Sequence, residues 1–122
     1  MALSSDLLRG YTDTVILCQL AEGDSYGYAI SKQINALSGG QLEMKEATLY
    51  TAFRRMEQMG LIASYWGTEG AGARRRYYTL TPAGHEKAQE DIEQWQQTRR
   101  LLDRLLSFPV RAPKIEITVE NE

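Results

Sequence analysis

The stretch Glu46–Gly60, EATLYTAFRRMEQMG, decides the fold. Leu49, Phe53 and Met56 recur at i, i+4 and i+7, the spacing of one apolar stripe on an amphipathic helix of about four turns. Ala47, Thr48, Thr51, Arg54, Arg55 and Gln58 occupy the other side, and one acid, Glu57, comes near it. Small residues let a backbone approach a duplex closely, and arginines meet phosphates or guanine edges, so this face suits a helix laid into a major groove. An ordinary solvated face has the same composition, and the helix alone leaves both readings open.

The residues that follow narrow the choice. Gly60 is the residue type expected just past a helix C-terminus. Leu61–Trp66 then alternates as a strand, and Gly67–Ala73 holds three glycines, a loop too flexible to bury. Arg74–Thr81 returns as a second strand, with Arg76, Tyr78 and Leu80 on one face and Tyr77 and Thr79 on the other. A helix followed by a hairpin with a basic tip is the outline of a winged helix-turn-helix. The expected fold is therefore mainly α with a β-hairpin wing.

The charge distribution agrees. The 122 residues carry 14 basic and 16 acidic side chains, net −2, which does not advertise nucleic acid. Residues 1–44 are net −3, residues 45–81 are net +3 and residues 82–122 are net −2. Positive charge is concentrated on the central helix and hairpin, and local field rather than net charge governs phosphate attraction. The length suits one domain with a modest core and an added oligomerisation element. No apolar run is longer than Thr14–Cys18, so no membrane span is expected, and the first residues lack the pattern of a signal peptide. The one cysteine, Cys18, cannot form an internal disulfide and reads as a buried thiol in a reducing cytoplasm.

Upstream, Asp6–Ala21 reads as a helix capped by Ser4 or Ser5. Leu8, Tyr11, Val15 and Cys18 form one stripe; Leu7, Gly10, Thr14 and Leu17 form a second beside it. A helix apolar over so much of its girth is usually covered on two sides, one of them available to a partner chain. Tyr26–Ala36 is the next helix, with Ser25 as its cap and Ile30, Ile34 and Leu37 on one face; Ser38-Gly39-Gly40 breaks it. Gln41–Lys45 either pairs as an edge strand or simply leads in.

Downstream, Thr81-Pro82 is a helix start, threonine at the cap and proline at the first helical position. The helix should run to about Ser107. Ala88, Ile92, Trp95, Arg99, Leu102 and Leu106 alternate at four and three spacing, a heptad-like seam longer than a small winged domain covers. It reads as a dimerisation helix; folding back on its own domain is the alternative. The expected organisation is thus a DNA-binding domain over 1–81, a dimerisation helix over 82–108, and a tail over 109–122 that forms either a short strand (Ile115, Ile117, Val119) or no structure.

ATLYTAFRRMEQMGLI, ARRRYYTLTPAG and LLRGYTDTVILCQLAEGDSYGYAI together resemble the PadR family of bacterial transcriptional regulators, over about Leu7–Leu106. GLIASYWGTE with AGHEKAQEDIEQW is most similar to the multidrug-responsive repressors among its short members. The resemblance implies a homodimeric winged helix-turn-helix on a near-palindromic double-stranded DNA operator, with half-sites roughly 34 Å apart. It places DNA contact at Thr48, Tyr50, Thr51 and Arg54 on the helix and Arg74 and Arg75 on the wing. Tyr50 could equally pack beside Leu49, Arg55 could pair with an acid inside the domain, and Arg76 could be partly covered. It places the dimer interface at Leu7, Ile92, Trp95, Leu102 and Leu106. In the multidrug-responsive members a tryptophan at the place of Trp95 lines a pore at the dimer centre and stacks on flat aromatic drugs, which suits the large contact area of an indole face. Gly10 and Thr14 would leave room opposite; filling the seam is the plainer role for Trp95. One departure bears on ligand choice. Asp91 and Arg99 flank Trp95 one turn to each side, where cation-preferring members carry an acid on the turn after the tryptophan. The pair could bridge the dimer, leaving a neutral or anionic planar ligand, or none.

No catalytic constellation accompanies these features. His85 is the only histidine, GTEGAG between two strands is a loop rather than a dinucleotide fingerprint, and one cysteine with one histidine cannot make a Cys/His metal site. No enzyme activity, cofactor or metal is expected. The competing reading from another class is a winged-helix protein-interaction module using Tyr50, Tyr65 and Trp66.

Overall fold

The computed structural model describes residues 8–68 and 74–113. A 3-10 turn, Arg9–Tyr11, leads into α1 (Thr12–Ala21), followed by β1 (Ser25–Tyr26), α2 (Gly27–Leu37), α3 (Glu46–Gln58), β2 (Ile62–Trp66), β3 (Arg76–Leu80) and α4 (Pro82–Leu105). This is the expected winged helix with a long C-terminal helix.

The central helix forms as its pattern dictates. Leu49, Phe53 and Met56 are buried, joined by Ala52. They meet Ile16, Leu17 and Leu20 of α1, Ile30 and Ile34 of α2, and Ile62 and Tyr78 of the sheet in one core. Phe53 is its largest fully buried side chain; its ring stacks on Tyr78 with centroids 4.0 Å apart. Burying a side chain of that size contributes about 1.5–3 kcal/mol. α3 ends at a glycine for a stated reason. Gly60 has φ +76°, its amide donates to the Glu57 carbonyl at 3.1 Å, and the Leu61 amide donates to the Met56 carbonyl at 2.9 Å. These two bonds satisfy the last carbonyls of the helix and turn the chain into β2.

Several boundaries differ from the sequence reading. The expected continuous first helix is interrupted: Leu8 is helical, Arg9–Tyr11 tighten into a 3-10 turn containing Gly10, and α1 runs on from Thr12, while the expected start at Asp6 lies outside the described residues; glycine costs about 1 kcal/mol inside a helix. Its proposed caps, Ser4 and Ser5, lie outside the described residues. Its fully buried face is Ile16, Leu17 and Leu20, whereas Leu8, Val15 and Cys18 are half-buried and Tyr11 is exposed. Ser25 is not a helix cap. Ser25 and Tyr26 spend their backbone on a third strand, paired antiparallel with Tyr78 and Tyr77, which gives the sheet order β1-β3-β2. α2 therefore starts at Gly27. Leu37, at its last residue, points to solvent rather than continuing the Ile30–Ile34 face. Residues 41–45 are an irregular lead-in, not a strand.

The start of α4 is as read. The Thr81 hydroxyl accepts from the Gly84 amide at 3.0 Å and donates to the Gly60 carbonyl at 2.6 Å, and Pro82 opens the helix. Gly84 is buried against the chain just after α3: a Cβ there would stand 2.0 Å from the Leu61 carbonyl oxygen. After Ala88 no residue of α4 is fully buried. α4 ends at Leu105, two residues before the expected Ser107. Residues 109–113 carry no strand, and Ile115, Ile117 and Val119 lie outside the described residues.

Candidate nucleic-acid interface and the adjoining cleft

α3 presents Thr48, Tyr50, Thr51 and Arg54 on its exposed side. Their position follows from the buried stripe: with Leu49, Ala52, Phe53 and Met56 inward, these residues have nowhere else to point. Arg54 makes no ion pair or hydrogen bond among the described residues. Tyr50 packs within the domain and still reaches the surface. It is 41% exposed, yet its ring stands edge-on to Phe53 at 5.7 Å, and its hydroxyl lies over Gly27, 2.9 Å from where a Cβ would be. Arg55 is committed inside the domain: its guanidinium forms an ion pair with Asp13 of α1, with Nε 3.3 Å from Oδ2. The residues facing outward and unpaired on α3 are thus the ones a duplex could meet.

β2 and β3 pair over Ile62–Trp66 and Arg76–Leu80, with Tyr65 opposite Tyr77 and Trp66 opposite Arg76. Cross-strand ring stacking of Tyr65 on Tyr77 at 5.7 Å, and Tyr26 edge-on to Tyr77 at 5.4 Å, stiffens the outer face. Asp24 accepts from the Tyr65 hydroxyl at 2.6 Å. Hydrogen bonds from Thr79 and then Tyr65 hold its carboxyl below the usual range. The basic residues at the base of the wing are held on rings: Arg74 lies 5.8 Å and Arg76 5.5 Å from the Trp66 centroid, and Arg75 lies 4.7 Å from that of Tyr26. Arg76 also reaches Glu57 at 3.6 Å, so it is partly covered, as its place beside Tyr78 suggested. The wing tip, residues 69–73, lies outside the described residues.

α4 crosses α1 as it leaves the domain. Thr14 donates to Asp91 at 2.8 Å, and Lys87 pairs with Asp91 at 2.9 Å, which raises the Lys87 pKa. Asp91 is therefore already engaged within its own chain. Arg99, two turns further on, is exposed. Trp95 is 41% exposed and stands edge-on to Tyr11 at 5.5 Å. It separates two depressions. On one side a polar cleft of about 510 Å³ is lined by Gly10, Thr14, Asp91 and Trp95 together with Asp13, Arg55 and Lys87. On the other an apolar groove of about 390 Å³ runs along Leu8, Tyr11, Val15, Cys18 and Ile92. Cys18 lines that groove half-buried, not fully buried as read; burial, then the Asp91 charge, pushes its thiol pKa up. Gly10 has open space above it. Ile92 and Leu102 are exposed along α4 and Leu106 just past its end, and Leu7 lies outside the described residues.

Three contributors escaped the sequence reading: Asp13, Lys87 and Asp24. The Lys87–Asp91 pair carried a signal in its i, i+4 spacing. The Asp13–Arg55 and Asp24–Tyr65 contacts span 42 and 41 residues and carried none.

Residues 16–90 match the Transcriptional regulator PadR-like family. The chain belongs to the PadR-like family. A transcriptional regulator from Clostridium thermocellum is 46% identical and superposes with a TM-score of 0.77, covering 84% of this chain and 97% of that one. A PadR family transcription regulator from Clostridium difficile R20291 is 34% identical with a TM-score of 0.70, covering 79% and 98%. An uncharacterised protein of Lysinibacillus sphaericus is 36% identical over 99 residues, 81% of this chain and 91% of the relative. This PadR-like protein is accordingly a DNA-binding transcriptional regulator with a winged helix fold, not an enzyme. Regulators of the family bind DNA and typically dimerise. Among the described residues no helix is long and apolar enough to cross a membrane.

Proposed function

We propose that this PadR-like regulator is a cytoplasmic homodimeric repressor whose grip on a near-palindromic operator is loosened by a small planar aromatic ligand, as in the multidrug-responsive members it resembles. Residues 1–81 form the DNA-binding unit, with Thr48, Tyr50, Thr51, Arg54, Arg74 and Arg75 toward the duplex. Residues 82–108 join the two copies. The observation that carries the reading is the uncovered apolar row of α4. Ile92, Trp95, Leu102 and Leu106 are 39%, 41%, 42% and 75% exposed along and just past a helix on which no residue after Ala88 is fully buried. An apolar row of that length facing water favours a second copy, and the groove along α1 continues it. Trp95 then stands at the dimer centre between Gly10, Thr14 and Asp91, with Arg99 one turn beyond. Because Lys87 and Thr14 already satisfy Asp91, the site offers little net attraction to a cation and favours a neutral or anionic ring system. Ligand action is a population shift: binding favours a dimer geometry whose half-site spacing fits DNA less well.

The test is a titration with a planar aromatic dye in a Trp66→Phe background, where Trp95 is the remaining tryptophan. Trp95 emission is expected to be quenched on binding. Trp95→Ala in that background is expected to weaken binding, followed by dye anisotropy, more than tenfold, or about 1.4 kcal/mol. Equal affinity in the variant shows that the dye sits elsewhere.

A further inference from the structure

Glu57 is an acid where two effects oppose one. It lies in the last turn of α3, where the helix dipole disfavours negative charge, and beside a face meant for phosphates. A half-exposed ion pair of this kind also adds little to stability. Its position needs another reason, and its contacts supply one. A single carboxylate oxygen, Oε2, accepts from the Ser64 hydroxyl at 2.6 Å and faces the Arg76 guanidinium at 3.6 Å. Ser64 is on β2 and Arg76 on β3, so one oxygen of α3 ties both strands of the wing. Arg76 lies over Trp66, and Arg74 lies over the same indole. A chain of contacts thus runs from the carboxylate through Arg76 and Trp66 to Arg74.

We propose that Glu57 is a positioning residue for DNA recognition: it holds the wing at a fixed angle to α3 so that the helix and wing arginines fit one duplex together. The assignment rests on the reading that both elements grip the same DNA. It predicts a sign opposite to plain electrostatics. Removing an acid near phosphates should tighten binding if Glu57 acts only as a charge; it should weaken binding if Glu57 holds the wing.

The experiment measures the affinity of the full chain for a labelled duplex that the wild-type protein selects from a randomised pool, by anisotropy over a salt series. Glu57→Ala is expected to bind about tenfold more weakly, with a salt slope shallower by about one phosphate contact as the wing loses its place. Ser64→Ala changes no charge and is expected to weaken binding about threefold, and it stands as the test should Glu57→Ala fail to fold. The double variant should be no weaker than Glu57→Ala, since both act through one contact. Unchanged or tighter binding by a folded Glu57→Ala, unchanged binding by Ser64→Ala, or additive losses in the double variant overturns the proposal. If the wild type selects no duplex, the DNA reading itself falls, and the proposal with it.

Discussion

Gly84→Ala should destabilise the protein although it replaces the poorer helix former with the best one. Alanine in place of glycine in a helix gains about 1 kcal/mol from propensity. Against this stands the backbone beneath α4. The added Cβ would lie 2.0 Å from the Leu61 carbonyl oxygen and 2.8 Å from Leu80 Cδ2, where ordinary van der Waals contact begins at 3.4 Å. The carbonyl cannot rotate away as a side chain would, and it also accepts from the Thr81 amide at 3.1 Å. Relief requires the first turn of α4 to lift by more than an ångström, or that bond to break. Overpacking of this kind costs about 1–3 kcal/mol, and the weakened hydrogen bond adds about 1 kcal/mol. The net expectation is a loss of about 2 kcal/mol, or roughly 8–12 °C in Tm for a chain of this size. Urea and thermal melts at one fixed protomer concentration would measure it, because a dimer's stability depends on concentration. Gly10→Ala is the control: nothing lies within 4 Å of its added Cβ, and it should change stability by no more than about 0.5 kcal/mol. A Gly84→Ala protein as stable as the wild type would refute the argument that α4 is seated on the Leu61 backbone.

Leu102→Asp should yield monomer in sedimentation at concentrations where the wild type is dimeric; an unaltered mass would remove α4 from the interface. Arg54→Ala should cost about 1–3 kcal/mol of duplex affinity if the guanidinium reads a base edge, with an unchanged melt; full affinity in a folded variant would take α3 out of the groove. Asp24 predicts a pH dependence. Bonds from Thr79 and Tyr65 lower its folded-state pKa, so its stabilisation is complete above the unfolded value near ~3.9 and is lost as pH falls through the folded one. Asp24→Asn should therefore melt below the wild type at neutral pH and converge with it in strong acid. A gap that persists undiminished at the lowest pH would show that the carboxylate charge is not its source.

What could be read from the chain alone was what local chemistry specifies. The Leu49–Phe53–Met56 stripe, the glycine after α3 and the Thr81-Pro82 start each act within a few residues, and each stands where its pattern put it. The alternation of Arg76–Leu80 put Tyr78 and Tyr77 on opposite faces, and Tyr78 is the buried one. Strand β1 was illegible because two residues hold no periodicity; only the distant edge of β3 makes Ser25 and Tyr26 extended. The same distance hid Asp13 as the partner of Arg55, although a partner of that kind was expected. Spacing showed which residues of α4 share a face, and the structure shows where its own domain stops covering them.

Neighbouring residues of α1 hold different helices. Asp13 grips α3 through Arg55, and Thr14 grips α4 through Asp91. The segment between them is one peptide unit long, too short to absorb a rotation by bending. A shift of α4 along α1 would therefore strain the Thr14–Asp91 contact one residue away from the contact that holds α3. Selection for altered release from DNA should accordingly return changes at position 13, whose side chain holds α3, as well as at the ligand-facing position 14.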